Sequence, residues 1–364
     1  MLLAPTLLGA FLRPPCGDAA NVPVPITSFR VLPDEGRRLE PRWMEFLPTG
    51  KYIAVQLSAN KGADGELRVY DTKSAQLSLS RATPHGGRYG SQRVFSSQLT
   101  DTIGFVDGDT LRLLALPPPK VVPQAEQGLR PNPKSGLELG KADALWVTKD
   151  GKSVYSVNFA DEKYSLTAWT LETGATRKVL SGSSWAARDF DVNSSATRFA
   201  LSVQRQFGIR QEDVEVWTLD GEKPVRTVIP QPTVPQRLDP MSLKLSPSGK
   251  VVAVGYGDGS VGFWASDTGN LLHHVRLPAR FTIAALAFDP TENYLACGSL
   301  DRGGQENLFI VKIKSGQIIV RMTVDAMSVS KVCFSPGGDR IATFGGSGTV
   351  MIWDATKLLK QEEN

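Results

Sequence analysis

The chain has 364 residues, with 41 Lys+Arg against 37 Asp+Glu and a net charge of +4. So small an excess over this length does not imply a basic stripe built for nucleic acid, and 41% hydrophobic with 21% charged residues excludes wholesale disorder. Three Cys exclude a disulfide scaffold, three His leave little room for a His-rich metal site, and no apolar run reaches the ~18 residues of a membrane span.

Residues 1–25 form an apolar, Pro-rich lead. Residues 2–12 have the length of an export-signal core, and Gly17-Asp18-Ala19 followed by Ala20 offers small residues for cleavage. No Lys or Arg precedes the apolar run. Export to a periplasm or cell surface is the favoured expectation, because the repeats that follow do not need this segment; a cytoplasmic chain with a greasy tail is the alternative. Residues 26–32 alternate apolar and polar side chains and read as a lone strand.

From there a motif recurs: an apolar residue closes a run, and a polar, Pro or Gly turn follows. It starts at Phe46, Phe95, Trp146, Phe190, Leu245, Phe288 and Phe334, with spacings of 43 to 55 residues and a mean of 48. Each start leads to a second apolar run, then to a third that ends at Tyr70, Trp169, Trp217, Trp264 or Trp353 in five of the units. A fourth often opens after a Gly turn, as at Gly269 and Gly316. The fourth run of the second unit is expected within residues 121–125, ahead of an irregular linker reaching residue 143.

Short runs rich in Val, Ile, Phe and Trp, bounded by Gly, Pro and Asp, are strands. Four strands in each of seven units predict an all-β fold, a seven-bladed β-propeller of four-stranded antiparallel blades over residues 26–355. The last unit supplies only three strands, so residues 26–32 are expected to complete it and close the ring. Residues 356–364 are left as a charged tail.

The arrangement resembles the tryptophan–aspartate (WD) repeat family. Asp258-Gly259-Ser260-Val261-Gly262-Phe263-Trp264 and Gly348-Thr349-Val350-Met351-Ile352-Trp353-Asp354 carry the resemblance best. Departures are plain: His85-Gly86 is the one candidate for the family's Gly-His pair, and Leu114 and Val311 stand where Trp is expected. The family's His–Asp–Trp hydrogen-bonded arrangement is therefore expected to be incomplete. A kelch-type propeller is the second reading, since its repeat is also near 50 residues.

The resemblance implies that loops between second and third strands share one rim with the crossings between blades. That loop is tight at residues 257–260 and expected to be long at 58–66, 160–164, 204–213 and 299–307. Length variation on one rim of a repeat protein marks its binding face. Lys61, Arg205, Arg210, Glu212, Asp213, Asp301, Arg302 and Glu306 are accordingly the candidate partner-binding residues. Tyr70, Trp169, Trp217, Trp264 and Trp353 are expected to be structural.

No catalytic, cofactor or metal residue is assigned. Residues 136–141 have one residue too few between glycines for a phosphate loop, and no G-x-S-x-G is present. His273 and His274 are neighbours on a strand and point to opposite faces, one half-packed and one exposed. Cys297 and Cys333 read as small packed apolar residues. The inner-strand starts carry Glu45, Arg93, Arg188, Asp189 and Lys331, too mixed a set for a hydrolase scheme. The expected function is a monomeric, cofactor-free, non-catalytic scaffold that binds a protein or peptide through one rim. A propeller hydrolase with a channel-mouth site, or a weak binder of anionic partners, is the alternative.

Overall fold

Strands buried on both faces need unbroken apolar runs, whereas outer strands tolerate polar and charged residues. The repeats divide in this way. Val251–Tyr256 and Arg340–Gly345 are buried from their second residue on, while Leu271–Arg276 is exposed or half-buried throughout. The structure, a computed structural model, describes residues 23–32, 39–59, 65–83, 94–96, 101–107, 110–116, 127–129, 142–148, 152–184, 189–204, 212–234, 238–301, 303 and 305–360. The fold is an all-β propeller with four-stranded antiparallel blades.

In chain order, β1 is Thr27–Arg30. The first sheet contains β2 (Leu39–Phe46), β3 (Tyr52–Ala59), β4 (Gly65–Asp71) and β5 (Leu77–Thr83). The second contains β6 (Val94–Ser96), β7 (Thr102–Asp107), β8 (Thr110–Ala115) and β9 (Gln127–Leu129). The third contains β10 (Ala144–Val147), β11 (Ser153–Ala160), β12 (Lys163–Thr170) and β13 (Thr176–Ser183), and the fourth β14 (Phe190–Val192), β15 (Arg198–Gln204), β16 (Glu212–Thr218) and β17 (Val225–Ile229). The fifth contains β18 (Pro240–Leu245), β19 (Val251–Tyr256), β20 (Ser260–Ala265) and β21 (Leu271–Arg276). The sixth contains β22 (Ile283–Phe288), β23 (Tyr294–Ser299), β24 (Leu308–Lys312) and β25 (Gln317–Met322). The last contains β26 (Val329–Phe334), β27 (Arg340–Gly345) and β28 (Thr349–Asp354), with β1 paired to β28. In that pair Phe29 lies opposite Val350 and Thr27 opposite Ile352. Phe29 and Val31 are buried on one side, and Arg30 is exposed on the other.

The recurrent turn has a backbone cause. Ser246 and Gly249 close a turn in which Gly249 has φ +75°, and Gly50 and Gly338 repeat it at +68° and +72°. Ala196 and Glu292 hold the same place with φ 54° and 59°, a left-handed conformation that glycine adopts without steric cost.

First strands of neighbouring sheets approach one another: β6 with β10, β14 with β18, β18 with β22, β22 with β26, and β26 with β2. They are the inner strands. Among the described residues the core falls into seven apolar clusters, each shared by two adjacent sheets. One of them joins Phe29, Val350 and Phe344 of the last sheet to Phe46, Ile53 and Tyr70 of the first. Between sheets the packing is close enough that two glycines have no room for a side chain. A Cβ on Gly255 would lie 2.9 Å from the Ile283 carbonyl oxygen, and one on Gly298 would lie 2.6 Å from Val329.

Two expectations change. The fourth strand described in the second sheet is Gln127–Leu129; residues 121–125, where it was expected, lie outside the described residues. The start of the expected tail is helical instead: α1 (Ala355–Leu359) is capped by Asp354, whose carboxylate accepts from the Lys357 N–H, and it buries Ala355 and Leu358. Among the described residues no helix is long and apolar enough to cross a membrane.

Candidate functional site

Strand direction alternates within each sheet. The loop between second and third strands therefore lies on the same rim as the crossing to the next sheet. The best-described stretch of that rim runs over the fifth, sixth and seventh sheets, and two buried aspartates organise it.

Asp301 is 1% exposed. Its carboxylate accepts the Arg280 N–H at 3.0 and 3.1 Å, the Phe281 N–H at 3.4 Å and the Ser299 hydroxyl at 2.7 Å. Asp325, also buried, accepts the Met327 N–H at 2.7 Å, the Ser328 and Ser347 N–H groups at 3.4 Å, and the Ser347 hydroxyl. Backbone bonds Leu300 N–H to Thr282 O and Gly303 N–H to Ala326 O tie the sixth-sheet loop to the crossings on either side. The side chains lifted out by this scaffold are apolar: Phe281 is 57% exposed and Met327 48%.

Charges on this stretch mostly answer one another. Asp258 pairs with Arg276 at 2.6 Å, and Glu306 with Arg321 at 3.6 Å. The Arg280 guanidinium has no hydrogen-bond or ion-pair partner among the described residues. Arg280, Phe281 and Met327 were missed by sequence reasoning, which followed loop length and charge. The available signal was a Phe and a Met in crossings, outside any strand.

The predicted site residues fare unevenly. Lys61, Arg205, Arg210 and Arg302 lie outside the described residues. Glu212 and Asp213 are not loop residues: they open β16, opposite Gln204 and Val203. The loop expected at 160–164 is a two-residue hairpin, Asp161-Glu162, with both residues at positive φ, the turn that fits strand twist. Asp301 is a backbone staple with no free face, and Glu306 stays partly exposed beside Arg321. Tyr70, Trp169, Trp264 and Trp353 are buried as expected. Trp217 is only half-buried; its indole N–H reaches the Tyr164 hydroxyl at 3.0 Å and the buried Glu215 carboxylate at 3.3 Å.

The inner strands bring a second set of charges together. Lys244 meets one Asp191 carboxylate oxygen at 2.7 Å, and the other oxygen accepts the Leu245 N–H at 2.8 Å. Asp189 accepts the Leu243 N–H at 2.8 Å. Glu45 acts electrostatically on Lys244, and Lys331 on Asp189, so groups from the first, fourth, fifth and seventh sheets meet across the axis. Burial pushes Asp189 up to about 6 against the pull of the Leu243 N–H, Lys331 and Lys244. Burial pushes Lys331 down, and Arg42 and Lys244 reinforce this while Asp189 opposes it. Sequence reasoning named Glu45, Asp189 and Lys331 here and missed Asp191 and Lys244; Arg93 and Arg188 lie outside the described residues.

A serine–histidine pair exists but is a packing device. His274 Nε2 lies 3.0 Å from the Ser260 hydroxyl, which donates to Asp258 at 2.6 Å. Ser260 is wholly buried, so no substrate reaches it. Burial lowers the His274 pKa, with Asp258 opposing. His273 is half-buried as well, not exposed, because its Nε2 contacts the Lys314 carbonyl of the next sheet at 3.0 Å. Cys297 and Cys333 are buried free thiols, and burial raises both pKa values. Among the described residues no three His, Cys, Asp or Glu side chains converge on a metal-sized site.

In the last sheet the Trp353 indole donates to the Thr343 hydroxyl at 3.1 Å, linking the third strand to the second. The WD domain, G-beta repeat family matches residues 320–354, the stretch that holds this pair. The chain resembles a divergent WD-repeat β-propeller. The chain is also similar to Autophagy-related protein 16 of Arabidopsis thaliana, with 24% identity over 221 residues, 60% of this chain. The match spans 40% of that relative's length. WD-repeat propellers are characteristically protein-interaction scaffolds.

Proposed function

We propose that this protein is a non-catalytic scaffold that binds a protein or peptide partner on the rim of second-to-third-strand loops and sheet crossings. The seven four-stranded sheets act as seven blades of one ring, with β1 closing it. Support for closure comes from the β1–β28 pairing and from the cluster that spans the last and first sheets. Rigidity is what the function needs: when blade packing fixes the rim beforehand, little ordering entropy opposes association.

One observation carries the reading. Phe281 and Met327 stand exposed on a rim whose backbone is pinned by buried Asp301 and Asp325. Exposed aromatics and Met on rigid loops are the composition of binding surfaces. The channel charges support a hydrolase poorly, because Asp191 and Asp189 are engaged with strand N–H groups and Lys244. The relative's name ties it to autophagy.

The test is photo-crosslinking with a benzophenone side chain placed at 281, 327, 77 or 225 in cell extract. Positions 281 and 327 are expected to capture a discrete protein that then binds the purified chain. Capture from 77 and 225 alone would refute the rim assignment.

A further inference from the structure

We infer that the rim over the sixth blade is a docking site for a short acidic–apolar peptide segment of a partner protein, with a carboxylate on Arg280 and apolar side chains on Phe281 and Met327. The inference rests on the scaffold reading and specifies the chemistry of its ligand.

Three features of the site support it. First, the exposed residues are of the kinds that dominate binding energy: an aromatic, a methionine and an arginine, set on crossings one blade apart. Second, their backbones are already fixed. The Phe281 and Met327 N–H groups each bond to a buried carboxylate, so these side chains are presented without loop ordering on binding. Asp301 and Asp325 also draw the sixth-blade loop and the Gly346-Ser347 turn against the two crossings. Third, the local charge is unbalanced. Asp258 is taken by Arg276, Glu306 by Arg321, and Asp301 and Asp325 by backbone N–H groups. Arg280 is the cation left over among the described residues of this stretch. An anionic residue next to apolar ones complements it, and a carboxylate fits the planar guanidinium fork in two hydrogen bonds. A basic peptide would leave Arg280 opposed by like charge.

The experiment is selection of a displayed library of random 12-residue peptides on the full chain, followed by titration of the selected peptides against variants. Enrichment of Asp or Glu flanked by Leu, Ile, Phe or Met is expected. Phe281→Ala, Met327→Ser and Arg280→Glu should each weaken the selected peptides by at least about 10-fold. Reselection on Arg280→Glu should turn toward Lys and Arg. Leu77→Ser, on the outer strand of the first blade, should leave binding unchanged. Melting temperatures of the three rim variants should match the parent, because their side chains are exposed and their backbone bonds are kept.

Selected peptides that ignore all three rim substitutions would overturn this site and leave the scaffold reading standing. Peptides enriched in Lys and Arg would do the same. Failure to enrich any peptide, with the library validated on another target, would overturn both. Flotation of the chain with vesicles containing anionic lipid, lost in Phe281→Ala, would overturn the peptide ligand in favour of a membrane surface.

Discussion

Phe29 is the side chain through which β1 would hold the proposed ring together, and removing it is the sharpest test of closure. Its ring stacks on Tyr70 of the first blade with centroids 4.4 Å apart and 29° between planes, and it is 9% exposed. Phe29→Ala keeps the backbone ladder to β28 and deletes this stacking together with the ring's packing in the shared cluster. Burying a Phe is worth roughly 1.5–3 kcal/mol by transfer, and deleting one from a core costs about 3–5 kcal/mol once the cavity is included. The site borders the open edge of the blade, where neighbours can relax, so about 3 kcal/mol is expected. At roughly 2–3 °C per kcal/mol for a long domain, the melting temperature should fall by about 6–9 °C. Ser28→Ala, on the exposed side of the same strand, should stay within about 0.5 kcal/mol of the parent. Calorimetry at several scan rates is the assay, because domains of this size often unfold irreversibly. The same logic separates two deletions. Loss of residues 1–25 should be tolerated, whereas loss of 1–33 bares the edge of β28, with Val350 and Ile352 beside it, and should aggregate by light scattering. Phe29→Ala melting together with Ser28→Ala, or the two deletions behaving alike, would refute closure by β1.

Other outcomes follow from the buried groups. Glu215→Ala removes the buried acceptor of the Tyr164 hydroxyl and should cost about 2–4 kcal/mol in denaturant titration, more than Trp217→Phe, which keeps an aromatic ring at a half-buried position. Asp189 has a folded pKa of about 6 against an ordinary 3.8, so the folded state takes up a proton in that window and stability should fall as pH rises from about 4 to 6. Asp189→Asn should remove that slope; an unchanged slope would show that Asp189 is not its source. Cys297 and Cys333 should resist a thiol reagent in a Cys16→Ser background until the chain unfolds, and labelling of the native protein would contradict their burial. Purified chain should show no hydrolase turnover, and an activity abolished by Lys331→Met or Asp189→Asn would displace the scaffold reading.

The repeat was legible because its markers are backbone requirements. Gly50, Gly249 and Gly338 sit where φ must be positive, and the apolar runs between them record burial on both faces. The β1–β28 pairing was legible too: residues 26–32 alternate, and a three-stranded last unit lacks a partner. The candidate site was much less so. A charged loop residue such as Asp301 reads as solvated, yet its carboxylate faces inward to backbone N–H groups, a geometry that composition does not encode. Glu212 and Asp213 read as the end of a long loop because the apolar alternation starts at Val214; the β15–β16 hairpin carries its ladder through them. Phe281 reads as core by type, and only the position of its crossing shows that it points outward. Lys244 and Asp191 pair across two blades whose neighbourhood is a property of the ring, not of local sequence.

Gly255 and Gly298 bear on how many blades the ring can hold. Each sits at the end of a second strand, against the first strand of the following blade, with no space for a methyl group. A circular array of wedges fills its circumference only if the wedges are thin enough at the hub. These two residues set that thinness, and therefore the angular step from the fifth blade to the sixth and from the sixth to the seventh. Alanine at both positions would push successive sheets apart near the axis. If the circle is fixed as proposed, the added width has nowhere to go except the seam where β1 meets β28, so that joint would register changes made one and two blades away.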